Sequence, residues 1–169
     1  MSEFITKYFR GEKRESYLFI SAGFLFIILS YYGFFVSQED LHNGAAIPFG
    51  LIGLIQVVVG ANIAYRTDNQ LIGLLKLFSE DFKAFEDAEK SRMGSVMKNF
   101  TWIKRIELGL FLVGVLLLLL AMNGTISTIM LGVGIGLLIQ CALMLVFDLF
   151  AELRAREYLR EMDRVQRKL

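Results

Sequence analysis

Two glutamines, Gln56 and Gln140, stand near the middle of apolar stretches long enough to cross a bilayer, 45–65 and 126–147, in the matching contexts GLIGLIQ and GIGLLIQ. A side-chain amide in hydrocarbon has no water to bond, and unpaired burial costs roughly 1–3 kcal/mol. Each is therefore expected to face protein. The residues around them are small: Ala46, Gly50, Gly53, Gly60 and Ala64 keep a four-and-three spacing past Gln56, and Gly132 and Gly136 precede Gln140 at helical spacing. Small residues let helix backbones approach, and an amide on the same face can bond across the contact for ~0.6–2 kcal/mol. The alternative chemistry is a polar lining for a pore or a substrate path. One pair of amides is too little polarity to line a channel in one chain, so conduction would require several copies.

Other chemistry is sparse. Glu39, Asp40 and His42 offer three ligands to a divalent ion but no fourth donor, so a solvated loop is the expected reading. Cys141, the one cysteine, lies in an apolar run with no histidine partner. No HExxH pair is present, nor a glycine loop followed by Lys and Ser or Thr. The alternating Gly132, Gly134 and Gly136 lie inside an apolar run with no strand before them. Glu107 and Asp148 flank the long uncharged run between them and are expected to be solvated. The chain therefore reads as non-enzymatic, with no cofactor, no metal and no nucleic-acid partner expected.

The elements that must hold these groups are helices in a bilayer. Leu108 to Phe147 is forty residues without an Asp, Glu, Lys, Arg or His. As one helix it would reach ~60 Å, about twice the ~30 Å hydrocarbon thickness, so it must fold back. Asn123, Gly124 and Thr125 supply the turn. Two more uncharged runs, Tyr17 to Val36 and Asn43 to Tyr65, are each long enough to cross once, and Pro48 falls where the first turns of the second are expected. A single Pro in 169 residues fits a helical membrane protein, because a spanning segment must satisfy its own backbone groups. The expected spans are 17–36, 45–65, 106–122 and 126–147. The fold class is all-α, an integral membrane four-helix bundle of two tandem transmembrane hairpins in a single domain, 1–169. The first run, with Glu3 and Glu12 among the bases before it, reads as a retained span and not a cleaved signal peptide.

All 18 Lys and Arg fall before the first span, between the second and third, or after the fourth. The positive-inside rule makes those segments cytoplasmic, with both termini inside. The segment 66–105 carries two apolar stripes, Leu71, Leu74, Leu75, Phe78, Phe82, Phe85 and then Met93, Val96, Met97, Phe100, with a break expected near Lys90 and Ser91. The tail 148–169 keeps a seam of Ala151, Ala155, Tyr158, Met162, Val165 and Leu169, with Glu152 and Arg156 as a charge pair one turn apart. Fourth span and tail are expected to form one helix. The seam fits packing on the chain's own cytoplasmic helices or self-association. Phe4, Ile5, Tyr8 and Phe9 suggest a short helix lying in the interface, or else an unstructured tail.

The halves are alike. Residues 13–33 align without a gap on 104–124, matching Gly23 with Gly114, and GLIGLIQ aligns on GIGLLIQ, which suggests a duplicated hairpin. With RTDNQ (Arg66 to Gln70) after the second span and DLFAELRAREYL (Asp148 to Leu159) after the fourth, the chain resembles small four-span bacterial inner-membrane proteins. That resemblance implies the bacterial inner membrane and no activity. The functional expectation is a structural or interaction subunit, a homo-oligomer or the partner of another protein through its cytoplasmic helices. The alternative is an oligomeric channel with Gln56 and Gln140 in its lining.

Overall fold

The computed structural model describes residues 2–167, and its regular structure is four helices: α1 (Glu3–Phe35), α2 (Asp40–Glu80), α3 (Phe82–Met122) and α4 (Thr128–Gln166). Each is long and apolar enough to cross a membrane. With 41 residues, α2 and α3 extend ~60 Å at ~1.5 Å per residue, so about half of each lies beyond its apolar stretch. The bundle has an apolar half and a charged half, joined by uninterrupted helices. The helices stack in the order α1, α2, α4, α3, with α1 also touching α4. Among the described residues the backbones of α1 and α3 do not approach.

The turns follow local chemistry. At the apolar end Gly124 takes φ +69°, the left-handed conformation that glycine adopts without a Cβ penalty, and closes α3. Ser127 then caps α4 by accepting the N–H of Met130. At the charged end α2 and α3 meet at Asp81, whose extended backbone ends one helix while its carboxylate accepts the N–H of Ala84 at 3.0 Å. The break expected at Lys90 and Ser91 is therefore misplaced: α3 runs through both, and the capping carboxylate lies nine residues earlier.

The two halves differ in their interiors. In the apolar half the large side chains point outward, among them Leu25, Ile28, Val58, Leu112, Leu116 and Ile139, while glycines occupy the contacts. Where the solvent is as apolar as leucine, large side chains gain little by turning inward, and backbone approach decides the packing. In the charged half the rule reverts. Ile5, Tyr8, Phe9, Phe85, Met93, Ala155, Tyr158 and Met162 form a buried core drawn from α1, α3 and α4, with Leu71, Leu74, Leu75 and Phe78 of α2 against it.

The structure revises two readings of the sequence. Ile5, Tyr8 and Phe9 belong neither to an interfacial helix nor to an unstructured tail. They start α1, which continues without a break to Phe35, because their apolar face is covered by Tyr158 and Phe85. Pro48 lies not in the first turns but more than two turns inside α2, which begins at Asp40. As expected, α4 is one helix from the apolar turn to Gln166. Of its seam, Ala155, Tyr158 and Met162 are buried, Ala151 and Val165 are half-buried, and Leu169 lies outside the described residues.

Candidate functional site

The glycines of the apolar half set how closely the helices approach. Gly23 of α1 lies on Gly53 and on the Cβ of Gln56; Gly50 lies on Ser30, and Gly60 on Ser16 and Ile20. The Ser30 hydroxyl donates to the carbonyl of Ala46 at 2.7 Å, adding a hydrogen bond to the α1–α2 contact. Between α2 and α4 the fit is tighter. Gly44 and Gly132 lie backbone to backbone, and a Cβ on Gly136 would come 2.5 Å from the ring of Pro48. Between α3 and α4, Gly114 faces Gly134 and Leu138. The aligned glycines Gly23 and Gly114 both lie on contacts, yet Gly23 meets the Gln56 turn whereas Gly114 meets the turn before Gln140. The two hairpins are thus packed about one turn apart in register.

Below these contacts three buried polar side chains lie within little more than one helical turn of one another in depth. Pro48 is level with Gly136, and Gly114 with Gly134 and Leu138. Counting toward the charged end at ~1.5 Å per residue puts Gln140 ~6 Å, Glu107 ~10 Å and Gln56 ~12 Å below that level. Both glutamines are 0 % exposed and Glu107 is 2 % exposed. None of their side-chain oxygens or nitrogens has a hydrogen-bond partner among the described residues. The amides are therefore buried against protein, as expected, but they do not bond across the contacts.

Glu107 departs from the sequence reading, which has it solvated at a span end. Its position explains the burial: Phe100, Glu107 and Gly114 recur every seven residues on the face that α3 turns to α4. The nearby bases are engaged elsewhere. Lys104 bonds Glu152, Arg154 pairs with Glu15, and Arg105 lies over the Trp102 ring at 5.3 Å. Glu152 also accepts from Arg156 at 2.6 Å, the charge pair read from the sequence. Asp148 is half-buried, and its Oδ2 has no partner.

Deeper in the charged half a second polar network joins all four helices. Arg92 of α3 donates through Nε and Nη2 to both oxygens of Glu89, at 2.8 and 2.6 Å, and its guanidinium lies 5.0 Å from the Phe9 ring and 5.5 Å from the Tyr8 ring. Arg154 of α4 lies over the Tyr8 ring from another side, at 5.4 Å. Arg66 of α2 reaches Glu12 of α1 at 3.9 Å. The sequence reading did not single out these charged residues. The signal was present in their spacing: Glu89 stands on the stripe Phe82, Phe85, Met93, and Glu12 on the stripe Ile5, Tyr8, Ser16.

Burial holds the Glu12 carboxyl above its ordinary value of 4.5, against the pull of Arg92, Arg66 and Arg154. The folded chain thus holds this proton more tightly than the unfolded chain. The stability contributed is complete below about 4.5 and is lost as pH rises through the folded value. Glu12→Gln is accordingly expected to unfold at a higher temperature than the parent protein near neutral pH, with the gain shrinking to nothing below the ordinary carboxylate value. Thermal unfolding in mild detergent across that pH range measures it. A variant less stable than the parent at neutral pH would mean that the pairing with Arg66 outweighs burial.

Groups of three or more His, Cys, Asp or Glu able to hold a metal ion are absent among the described residues. At the apolar end His42 is held locally, by the Ser37 hydroxyl at 2.7 Å and by Glu39 at 3.5 Å. Comparison with family models, with curated proteins and with solved structures finds no match to this chain.

Proposed function

We propose that this chain is a non-enzymatic multi-pass protein of the bacterial inner membrane, with both termini cytoplasmic, acting as a structural or interaction subunit. The observation that carries the reading is the closure of the charged half. The apolar stripes of α1, α3 and α4 are used up in one core, so the charged outer faces of long helices running down from the membrane are what the chain offers to a partner. The tail seam supports packing within the chain, since Ala155, Tyr158 and Met162 are covered by its own helices. An oligomeric channel with Gln56 and Gln140 in its lining is the weaker reading. Both glutamines are enclosed within one chain, whereas a pore formed between copies is lined by residues on the outside of each copy.

Native mass in a nanodisc, together with ion flux in proteoliposomes, tests this proposal. The expected result is no protein-dependent flux, and none created or removed by Gln56→Leu with Gln140→Leu. A particle at the 19.2 kDa monomer mass would assign the interaction to a different protein, and a multiple of that mass to copies of this one. A ring of copies whose conductance changes in the double variant would overturn the proposal in favour of the channel.

A further inference from the structure

We propose that Glu107 and Asp148 form a binding site for a small monovalent cation, a proton or a sodium ion, inside the bundle at the charged end of the apolar half. The argument begins with partners. Glu107 is 2 % exposed, both its carboxylate oxygens are buried without a hydrogen bond, and the Oδ2 of the neighbouring Asp148 is buried without one as well. The groups facing Glu107 are Asp148 and Cys141 on α4 and Lys104 on its own helix. Helices α1 and α2 add no charge at this depth, because Tyr17 to Val36 and Asn43 to Tyr65 are uncharged.

Charge does not balance locally. Lys104 and Arg156 are both bonded to Glu152, so three carboxylates meet two bases and one negative charge is left over. An isolated carboxylate out of water is costly enough that it is found with a proton, a base or a metal ion. The bases are taken. Two carboxyl groups with free lone pairs are oxygen donors of the kind that a proton or a hard cation takes. This inference goes beyond the structural role and does not depend on it: a scaffold and a channel could each carry such a site.

Dicyclohexylcarbodiimide, an apolar reagent that modifies protonated carboxyl groups, tests it on the full chain in nanodiscs, with the modified residue located by peptide mass. Glu107 is expected to be labelled near neutral pH, where solvated carboxylates are ionised and inert, and Glu107→Gln is expected to lose that label. A several-fold fall on raising pH, with sodium chloride and choline chloride indistinguishable, identifies a proton site. A several-fold fall on adding sodium chloride at fixed pH identifies a sodium site. Asp148→Asn keeps Glu107 and is expected to shift the pH or the sodium concentration at which labelling falls, which keeps the test open if Glu107→Gln does not fold. Absence of label on Glu107 in the folded protein, or labelling indifferent to both pH and sodium, overturns the proposal. An unshifted response in Asp148→Asn removes Asp148 from the site.

Discussion

Glu89→Ala is expected to lower the unfolding free energy by about 3–5 kcal/mol, the cost of removing one partner from a buried ion pair. Glu89 is 0 % exposed, and both its oxygens accept from the Arg92 guanidinium. Arg92 cannot easily follow the loss by turning outward, since its planar head is held against the rings of Tyr8 and Phe9. Truncating the carboxylate leaves a cation in the α1–α3–α4 core, with Glu12 as the next anion and Arg66 and Arg154 competing for it. The pair as a whole is a different matter, because an ion pair out of water gains little over apolar side chains of similar size. Glu89→Leu combined with Arg92→Met is therefore expected to recover most of what Glu89→Ala loses. Chemical denaturation in mild detergent, followed by loss of helical circular dichroism, separates these outcomes. A loss below about 1 kcal/mol for Glu89→Ala would mean that Arg92 reaches water when its partner is gone.

What could be read from the sequence and what could not divide along the same line as the two halves. The four apolar runs were legible because hydrocarbon excludes charge over ~20 residues, a long signal that local chemistry does not blur. The turn at Asn123 to Thr125 was legible because glycine punctuates an otherwise unbroken apolar run. In the charged half the rule sorts residues by face, not by segment, and one Glu on an apolar stripe reads as an interruption. Glu107 was misjudged in this way, and Glu12 and Glu89 were not singled out at all, although each keeps the helical spacing of its buried neighbours. The break at Asp81 was missed for a related reason. Leu71 to Phe85 keeps one periodicity straight through the capping residue, so the stripe carried no mark of the change of helix. The stripes themselves were found correctly. What they covered was not, because the first apolar residues, Ile5 to Phe9, and the tail seam each looked complete alone, and only tertiary packing brings them together.

Gly132→Ala is the second large effect expected, and it acts in the other half. A Cβ on Gly132 would run into the backbone carbonyl of Leu41, and one on Gly44 into that of Ile129, both well inside van der Waals contact. Neither obstacle is a side chain that can rotate away, so α2 and α4 would have to separate along the tightest contact in the bundle. Overpacking of this kind costs typically about 1–3 kcal/mol, and more where backbone must move. Gly132→Ala and Gly44→Ala are each expected to fall at the upper end of that range, and Gly132→Leu to prevent the α2–α4 contact altogether. The same substitution elsewhere should do the opposite. Gly73 and Gly94 lie within helices with nothing within 4 Å of an added Cβ. Alanine there removes backbone freedom from the unfolded chain and is expected to stabilise by ~0.5–1 kcal/mol. Comparing the four alanine variants by thermal unfolding in one detergent cancels the contribution of the medium. The seam between α2 and α4 requires glycine only if the signs divide two against two. If Gly132→Ala and Gly44→Ala match the variants at Gly73 and Gly94, the helices are not held backbone to backbone at that point, and the register of α2 on α4 from which the depths of Gln140 and Gln56 are counted loses its anchor.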